Sequence, residues 1–173
     1  MKTNIKIAIM VWVVIYMCGM AGAEELKTYK SPNGKLIAHV ISINGESIIE
    51  IITKSGDKLI SKDYTSADGE HGLAIENIKW TPDSKFLIYT TYSSGGHQPW
   101  AYPSYFYNVK DNSFLCFCDY FPAVAESTIK VTKPDIVTIS IWTPLSENKS
   151  VDESIVLPIT FHMADLLKPK GLR

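Results

Sequence analysis

The clearest pattern along the chain is a succession of short apolar segments rich in aromatic and β-branched residues. They are separated by turns that contain Pro, Gly, Asn or Asp. This pattern is typical of β-strands joined by tight connections. The spacing of an amphipathic helix is confined to the tail at residues 163–167, where one helical turn is expected. The sequence therefore predicts an all-β domain.

The apolar segments group into about three units of antiparallel strands. Predicted strands lie at 26–30, 35–42, 47–53 and 58–64 in the first unit, at 73–80, 85–92, 104–110 and 113–119 in the second, and at 127–132, 135–142 and 153–161 in the third. Pro158 lies inside the last strand, which favours an edge position because proline has no N–H to donate. We expect four-stranded, propeller-blade-like units in an open propeller-like or sandwich-like stack.

A turn containing Pro recurs at the start of the second strand of each unit. The segment SPNGK begins at Ser31, TPDSK begins at Thr81, and a fainter version, KPD, begins at Lys133. The starting positions are fifty and then fifty-two residues apart, which is the spacing of an internal repeat of the size of a propeller blade.

The segments SPNGKLIAHV and WTPDSKFLIY resemble the repeat core of TolB-type β-propeller proteins, which are exported and periplasmic. The likeness covers about ten residues in each of two repeats and is weaker in the third. It implies a turn between two strands and brings no catalytic residues. Propellers close with four to eight blades, whereas this chain supplies about three. An open stack, closure by a second copy in a homodimer, and a likeness limited to single hairpins are the alternatives.

The N-terminus has the pattern of a secretory signal peptide. Lys2 and Lys6 precede an apolar segment at 7–17, and small residues at 21–23 precede Glu24. A membrane anchor is the alternative, but it needs about 20 apolar residues, and this segment is shorter. We expect residues 1–23 to be removed and residues 24–173 to form a single all-β domain, periplasmic or secreted, without a membrane span.

Composition indicates a globular domain, and the charge distribution disfavours nucleic acid as a partner. The chain is 46% hydrophobic and 20% charged, which is typical of a globular domain with a core. Its formal net charge is -1, and Lys and Arg do not cluster in a run. Nucleic acid is therefore an unfavourable partner.

Two cysteines remain after the predicted cleavage, Cys116 and Cys118. On an extended strand their Cα atoms would lie about 7 Å apart, near the upper limit for a disulfide. A bridge would need a kink in the strand. The favoured interpretation is two small buried apolar side chains, because the pair lacks the spacing of a CxxC motif.

Strand alternation places the long connections at one end of the units. The connections at 65–72, 93–103, 119–126 and 143–152 all leave the sheets at this end, and the Pro turns lie opposite. We call this end the loop face. His71 and His97 become neighbours there. The candidate binding residues of the loop face are Asp68, Glu70, His71, His97, Gln98, Trp100 and Tyr102.

Three interpretations of the loop face are open. Exposed aromatic side chains between prolines suit contact with a protein or a glycan, although Trp100 could instead fold down onto the loop. His71 and His97 with a carboxylate suit zinc, but the HExxH pattern is lacking. His97 could also simply bond Asp68 or Glu70 and fasten the loop. Tyr105 and Tyr107 are assigned to the core.

We expect a non-catalytic binding module that contacts a protein or glycan in the cell envelope or the extracellular space through the loop at 93–103. The alternative is a metal-dependent hydrolase that uses His71 and His97. The favoured interpretation requires no cofactor and no metal ion.

Export gives the first testable prediction. Protein purified from its native host should begin at Glu24, because the small residues at 21–23 fit the specificity of signal peptidase. Intact-mass measurement together with N-terminal sequencing checks this, and a mature protein that begins at Met1 would contradict it.

Overall fold

The computed structural model describes residues 24–96, 101–144 and 154–168, and these residues form three antiparallel sheets. The first sheet contains β1 (Glu25–Lys30), β2 (Leu36–Ile43), β3 (Glu46–Thr53) and β4 (Lys58–Asp63); the second contains β5 (Leu73–Trp80), β6 (Phe86–Ser93), β7 (Ser104–Asn108) and β8 (Ser113–Cys116); the third contains β9 (Lys130–Thr132), β10 (Ile136–Pro144) and β11 (Ser154–His162). A 3₁₀ turn at Phe117–Asp119 follows β8, and one helix, α1 (Met163–Leu166), follows β11.

The predicted all-β fold and its grouping into three units are confirmed. In each sheet the strands lie side by side in the order of the chain. The third sheet has three strands in the described part of the chain, and Pro158 lies on β11 at its edge, as expected. The main error concerns β8, which ends at Cys116, because the chain turns into the 3₁₀ helix at Phe117. The sheets form an open, sandwich-like stack.

The second sheet is buried on both of its faces. Along β6, Phe86 and Ile88 pack into one core, and Leu87 and Tyr89 pack into another; all four are at most 3% exposed. Successive side chains of a strand point to opposite faces. A continuously apolar strand is therefore what a sheet between two other sheets requires.

Two hydrophobic cores separate the three sheets. The core between the first and second sheets contains Ala38, Val40, Ile49, Ile51, Tyr64, Ile78, Leu87, Tyr89 and Tyr107. The core on the other side of the second sheet contains Phe86, Ile88, Phe106, Phe117, Val124, Ile129, Val137, Ile139, Ile141 and Met163. The first core is rich in tyrosine and the other in phenylalanine. Stacking of the sheets accounts for most of the apolar burial.

Side-chain hydrogen bonds hold the second Pro turn together. The Thr81 hydroxyl accepts a hydrogen bond from the N–H of Phe86 (3.1 Å) and donates one to the carboxylate of Asp83 (2.7 Å). That carboxylate also accepts the N–H of Lys85 (3.1 Å). Thr81 is 0% exposed, so its hydroxyl replaces water as the partner of buried polar groups.

The first Pro turn has the same bonds. The Ser31 hydroxyl accepts from the N–H of Leu36 (3.0 Å) and donates to the side-chain oxygen of Asn33 (2.9 Å). Gly34 and Ser84, which are equivalent in the two turns, have φ angles of 68° and 64°. The repeat inferred from the sequence is therefore a repeat of hydrogen bonding in these two turns.

The three Pro turns are also bonded to one another in series. The N–H of Asn33 donates to the hydroxyl of Ser84 (3.0 Å), which joins the first turn to the second. The N–H of Asp83 donates to the carbonyl oxygen of Pro134 (3.2 Å), which joins the second turn to the third. The donor is the residue after proline in both cases. Neighbouring sheets are thus connected by backbone amides at the end opposite the loop face.

The outer sheets carry most of the exposed large apolar side chains in the described part of the chain. These are Leu26 and Leu59 of the first sheet and Ile155, Val156 and Leu157 of the third, with Tyr92 on the second. A further β layer or a second copy would cover the outer sheets. Closure by a second copy in a homodimer, one of the alternatives for a chain of three units, stays untested.

The buried hydroxyl of Thr81 gives a prediction about stability. Thr81→Val keeps the shape of the side chain but leaves the N–H of Phe86 without its partner, so we expect the free energy of unfolding to fall by about 1–3 kcal/mol. Urea denaturation measures this. The control is Thr28→Val on the exposed β1, which should change the free energy by less than about 0.5 kcal/mol. Equal effects of the two substitutions would contradict the role of the turn.

Candidate functional site

The loops at 65–72 and 93–103 meet at their bases. The N–H of Ser94 donates to the carbonyl oxygen of Gly72 (3.1 Å). A Cβ atom added to Gly95 would lie 2.3 Å from the carbonyl oxygen of Glu70, so the two backbones touch where glycine lacks a side chain. The strand alternation that placed both loops at one end is therefore correct for these residues.

Three of the predicted binding residues, His97, Gln98 and Trp100, lie outside the described residues. The pairing of His71 with His97, whether through a metal ion or through a hydrogen bond to a carboxylate, stays a prediction. The described part of the loop face is built instead around a residue that the sequence analysis missed, Glu46.

The Glu46 carboxylate is the hub of the loop face. It lies at the start of β3, and the residue is 1% exposed. One oxygen accepts the N–H of Ser66 (2.6 Å). The other accepts the Ser66 hydroxyl (2.7 Å), the N–H of Gly72 (2.6 Å) and the Ser94 hydroxyl (2.8 Å). Four donors from two loops therefore converge on a single side chain.

These donors favour the ionised form of Glu46. The pKa of Glu46 is lowered to about 2. The hydrogen bond from the Ser66 amide is the largest cause of this shift, and burial acts in the opposite direction. The neighbouring Gly72 is required sterically, because a Cβ atom there would lie 2.3 Å from the Glu46 carboxyl carbon and 2.5 Å from the Tyr64 carbonyl oxygen. The loop at 65–72 thus closes tightly over a buried negative charge.

Asp68 and His71 form a second, exposed part of the site. The Nδ1 atom of His71 lies 2.6 Å from the Asp68 carboxylate, and the two side chains are 70% and 54% exposed. An ionised carboxylate can only accept, so Nδ1 carries the proton, and in the neutral ring Nε2 is the acceptor. The pKa of Asp68 lies well below its usual range, and the hydrogen bond from the N–H of Glu70 is the largest cause.

Ser66 connects the buried carboxylate to the exposed one. Its hydroxyl lies 2.7 Å from a Glu46 oxygen and 2.8 Å from an Asp68 oxygen, and it accepts the N–H of His71 (3.1 Å). A hydroxyl has one proton to donate, so the two carboxylates share it. Ser66 therefore links the exposed pair to the buried Glu46.

A polar cleft of about 250 Å³ lies between the β2–β3 hairpin and the loop at 65–72. It is lined by Ile43, Asn44, Glu46, Thr65, Ser66, Ala67, Asp68 and Gly69. The Glu46 carboxylate at its wall is already bonded, whereas Asp68 is more than half exposed. The cleft can hold a small polar group, with Asp68 as an exposed acceptor.

Tyr102 lies on the other side of the loop face and is half-buried. Its N–H donates to the carbonyl oxygen of Val124 (2.8 Å), which fixes the end of the loop at 93–103 against the connection at 119–126. Tyr107 is 1% exposed, and Tyr105 stacks on Tyr89 with ring centroids 5.7 Å apart. The assignment of Tyr105 and Tyr107 to the core is confirmed.

In residues 24–96, 101–144 and 154–168, His, Cys, Asp and Glu do not form a group of three or more that could hold a metal ion. The predicted metal alternative needs His97, which this range does not include. Of the predicted binding residues, Asp68 and His71 lie together, Glu70 supplies its N–H to them, and Tyr102 lies apart against Val124.

The interpretation of the cysteines as buried apolar side chains is wrong. Cys116 and Cys118 form a disulfide with their Cα atoms 5.1 Å apart. Cys116 is half-buried and Cys118 is exposed. The 3₁₀ turn that begins at Phe117 supplies the kink that an extended strand would lack, and it brings the Cα atoms within the range for a bridge.

Comparisons with known proteins leave the family of this chain open. It matches no family model and no curated protein. Among solved structures it is similar to a "putative conserved lipoprotein" from Clostridium novyi NT, with 17% sequence identity and a TM-score of 0.49. The match covers 83% of this chain and 90% of that chain. The described residues include no helix that is long and apolar enough to cross a membrane.

The Glu46 hub gives a prediction about pH. The pKa of Glu46 in the folded protein, about 2, lies below the value of 4.5 for an ordinary glutamate. Between pH 2 and 4.5 the folded state therefore binds fewer protons than the unfolded state. The stabilisation is complete above about pH 4.5 and is lost as the pH falls towards 2. Glu46→Gln leaves one acceptor for four donors, so its urea midpoint should lie well below that of the wild type at neutral pH.

The difference between wild type and Glu46→Gln should shrink as the pH falls through that window, because the wild-type carboxyl then also becomes neutral. Urea titrations of both proteins across the range measure it. Glu25→Gln, which removes an exposed carboxylate on β1, is the control and should shift the midpoint little. A constant difference at all pH values would show that Glu46 is not ionised in the folded protein.

Proposed function

We propose that this protein is an exported, non-catalytic binding module that contacts a protein or a glycan through the loop face. The observation that carries the proposal is the convergence of two loops on the buried Glu46 carboxylate. Recognition loops placed on a rigid sheet are a common arrangement for binding sites. Here the sheets supply the scaffold, and Glu46 holds the loops in place before a partner arrives.

Preorganisation of the loop bases favours binding. A loop that must be ordered on association costs free energy, and a loop that is already fixed avoids this cost. Ser66, Gly72 and Ser94 are fixed by hydrogen bonds of 2.6 to 2.8 Å to Glu46. The loop at 93–103 is thus fixed at its described ends, by the Ser94 hydroxyl on Glu46 and by the Tyr102 N–H on the carbonyl oxygen of Val124.

The chemistry of the loop face suits a polar partner. Asp68 offers a carboxylate and His71 a ring nitrogen, both from exposed side chains. Tyr102 adds aromatic surface of the kind that stacks on sugars or packs on protein, and Trp100 is a predicted addition to it. Hydrogen-bonding groups that flank aromatic side chains are the composition expected of an interface for a protein or a glycan.

Export is supported by the signal-peptide pattern at residues 1–23 and by the disulfide at Cys116 and Cys118. Disulfides persist in the periplasm and outside the cell and are rare in the cytosol. We infer a periplasmic or secreted protein from these two features together.

A metal-dependent hydrolase is the second candidate, and the geometry of His71 favours it. A histidine that binds a metal ion commonly bonds a carboxylate through its other ring nitrogen. His71 bonds Asp68 through Nδ1, so Nε2 is the nitrogen available to a metal ion, with His97 as the predicted second ligand. This candidate needs further ligands from beyond the described residues.

Binding through the loop face is tested with loop-face variants of residues 24–173. A glycan array and affinity capture from envelope extract, followed by calorimetry with the isolated partner, measure binding. The triple variant His71→Ala, Trp100→Ala, Tyr102→Ala should lose at least about tenfold in affinity, since truncated hot spots cost about 2 kcal/mol or more. Lys35→Ala, on the opposite Pro turn, should bind like the wild type.

A partner whose affinity is the same for the triple variant and the wild type would overturn the loop face as the binding surface. Metal analysis of untagged protein separates the two candidates. Stoichiometric zinc that is lost in the double variant His71→Ala, His97→Ala would favour the hydrolase over the binding module.

A further inference from the structure

The disulfide between Cys116 and Cys118 lies at the loop end of the second sheet. Cys116 is the last residue of β8 and pairs with Tyr105 of β7, whose neighbour Ser104 follows directly on the loop at 93–103. Cys118 is exposed within the 3₁₀ turn, whereas Cys116 is half-buried. The two cysteines therefore differ in their exposure to solvent.

We propose that the disulfide of Cys116 and Cys118 is a thiol–disulfide exchange site, which accepts two electrons from a dithiol on a partner protein or peptide. The proposal is independent of which partner the loop face binds.

The position of the bridge along the chain argues against a mainly structural role. A disulfide stabilises a fold chiefly by restricting the unfolded chain, and this effect grows with the size of the loop that it closes. Only Phe117 lies between the two cysteines. The restriction on the unfolded chain is therefore near the minimum that any disulfide can supply.

The local fold is held by Phe117 and not by the bridge. Phe117 is 0% exposed, and its ring centroid lies 5.1 Å from that of Phe106 and 6.0 Å from that of Phe161. The carbonyl oxygen of Phe117 also accepts the N–H of Tyr120 (2.9 Å). Reduction of the disulfide would leave these contacts in place, so the site can change its oxidation state within a folded protein.

The surroundings of the sulfur atoms give the exchange a direction. The N–H of Cys118 donates to the Sγ atom of Cys116 (3.1 Å), which stabilises negative charge on that sulfur. The carboxylate of Asp119 lies 4.0 Å from the Sγ atom of Cys118 and disfavours negative charge there. A more stable thiolate leaves faster. Cys118 is therefore the sulfur that is attacked, and Cys116 is the leaving group.

The reaction proceeds in two balanced steps. A thiolate of the partner attacks Sγ of Cys118; a bond forms between these two sulfurs, the bond between Cys118 and Cys116 breaks, and Cys116 leaves as a thiolate. The second thiolate of the partner then attacks the partner sulfur of the mixed disulfide and releases Cys118 as a thiolate. The thiolates of Cys116 and Cys118 take up the two protons that the partner's thiols lost. The partner ends as a disulfide, and this chain ends as a dithiol with two more electrons.

The first experiment uses dithiothreitol as the dithiol and folded wild-type protein (residues 24–173) without denaturant. Alkylation with N-ethylmaleimide and intact-mass analysis should show two modified cysteines, while the far-ultraviolet circular dichroism and the urea midpoint stay close to those of the oxidised protein. Oxidised glutathione should then restore the bridge. Reduction that needs denaturant, or that unfolds the protein, would show a structural disulfide and overturn the proposal.

The second experiment locates the attacked sulfur. Brief exposure to reduced glutathione, trapping with N-ethylmaleimide and fragmentation of the peptide should place glutathione on Cys118 and the maleimide on Cys116. The reverse placement would overturn the assigned direction. The double variant Cys116→Ser, Cys118→Ser is the control and should fold with a similar urea midpoint but take up neither label. The loop-face triple variant should exchange like the wild type, so failure of the binding proposal leaves this one standing.

Discussion

Burial of both faces of the second sheet is the constraint on which the rest of the structure depends. Because Phe86 and Ile88 face one core and Leu87 and Tyr89 face the other, a shift of one residue in the register of β6 would exchange the two sets. The tyrosine-rich core also contains a buried hydrogen bond, between the hydroxyls of Tyr64 and Tyr89, which lie 2.9 Å apart. Burial raises the pKa of both phenols, so they pair as neutral groups.

The two ends of the stack are fastened by different chemistry. At the Pro-turn end, a backbone amide of one sheet donates to an uncharged oxygen of the next, Asn33 to the Ser84 hydroxyl and Asp83 to the Pro134 carbonyl. At the loop face, one ionised carboxylate, Glu46, gathers donors from two loops. Neutral, repeated bonds suit a scaffold, whereas a single buried charge makes several loops depend on one residue. A substitution of Glu46 would therefore disturb the loop face more than any single change in a Pro turn.

The fold was largely predictable from the sequence, whereas the site was predictable only in part. Strand alternation and the recurring Pro turns are local signals, and they placed the described parts of the loops at 65–72, 93–103 and 119–126 correctly at one end. Strand alternation placed Asp68 and His71 on the loop face, but the hydrogen bond between them was not predicted, because His71 was paired with His97. Glu46 was missed because its partners, Ser66 and Ser94, are far away in the sequence. A charged residue directly after the Asn44-Gly45 turn, at the first position of an Ile-rich strand, was the available signal. The disulfide was missed because an extended strand was assumed to continue past Cys116.

The bonds between successive Pro turns make two backbone amides sensitive to the separation of the sheets. The amide of Asn33 belongs to the first sheet and its acceptor to the second, and the amide of Asp83 belongs to the second sheet and its acceptor to the third. Neither amide is protected by a bond within its own sheet. Their hydrogen exchange with solvent therefore reports the opening of each junction independently, in contrast to amides inside the strands, which stay protected until a whole sheet unfolds. The two junctions can in this way be followed as separate cooperative units of one molecule.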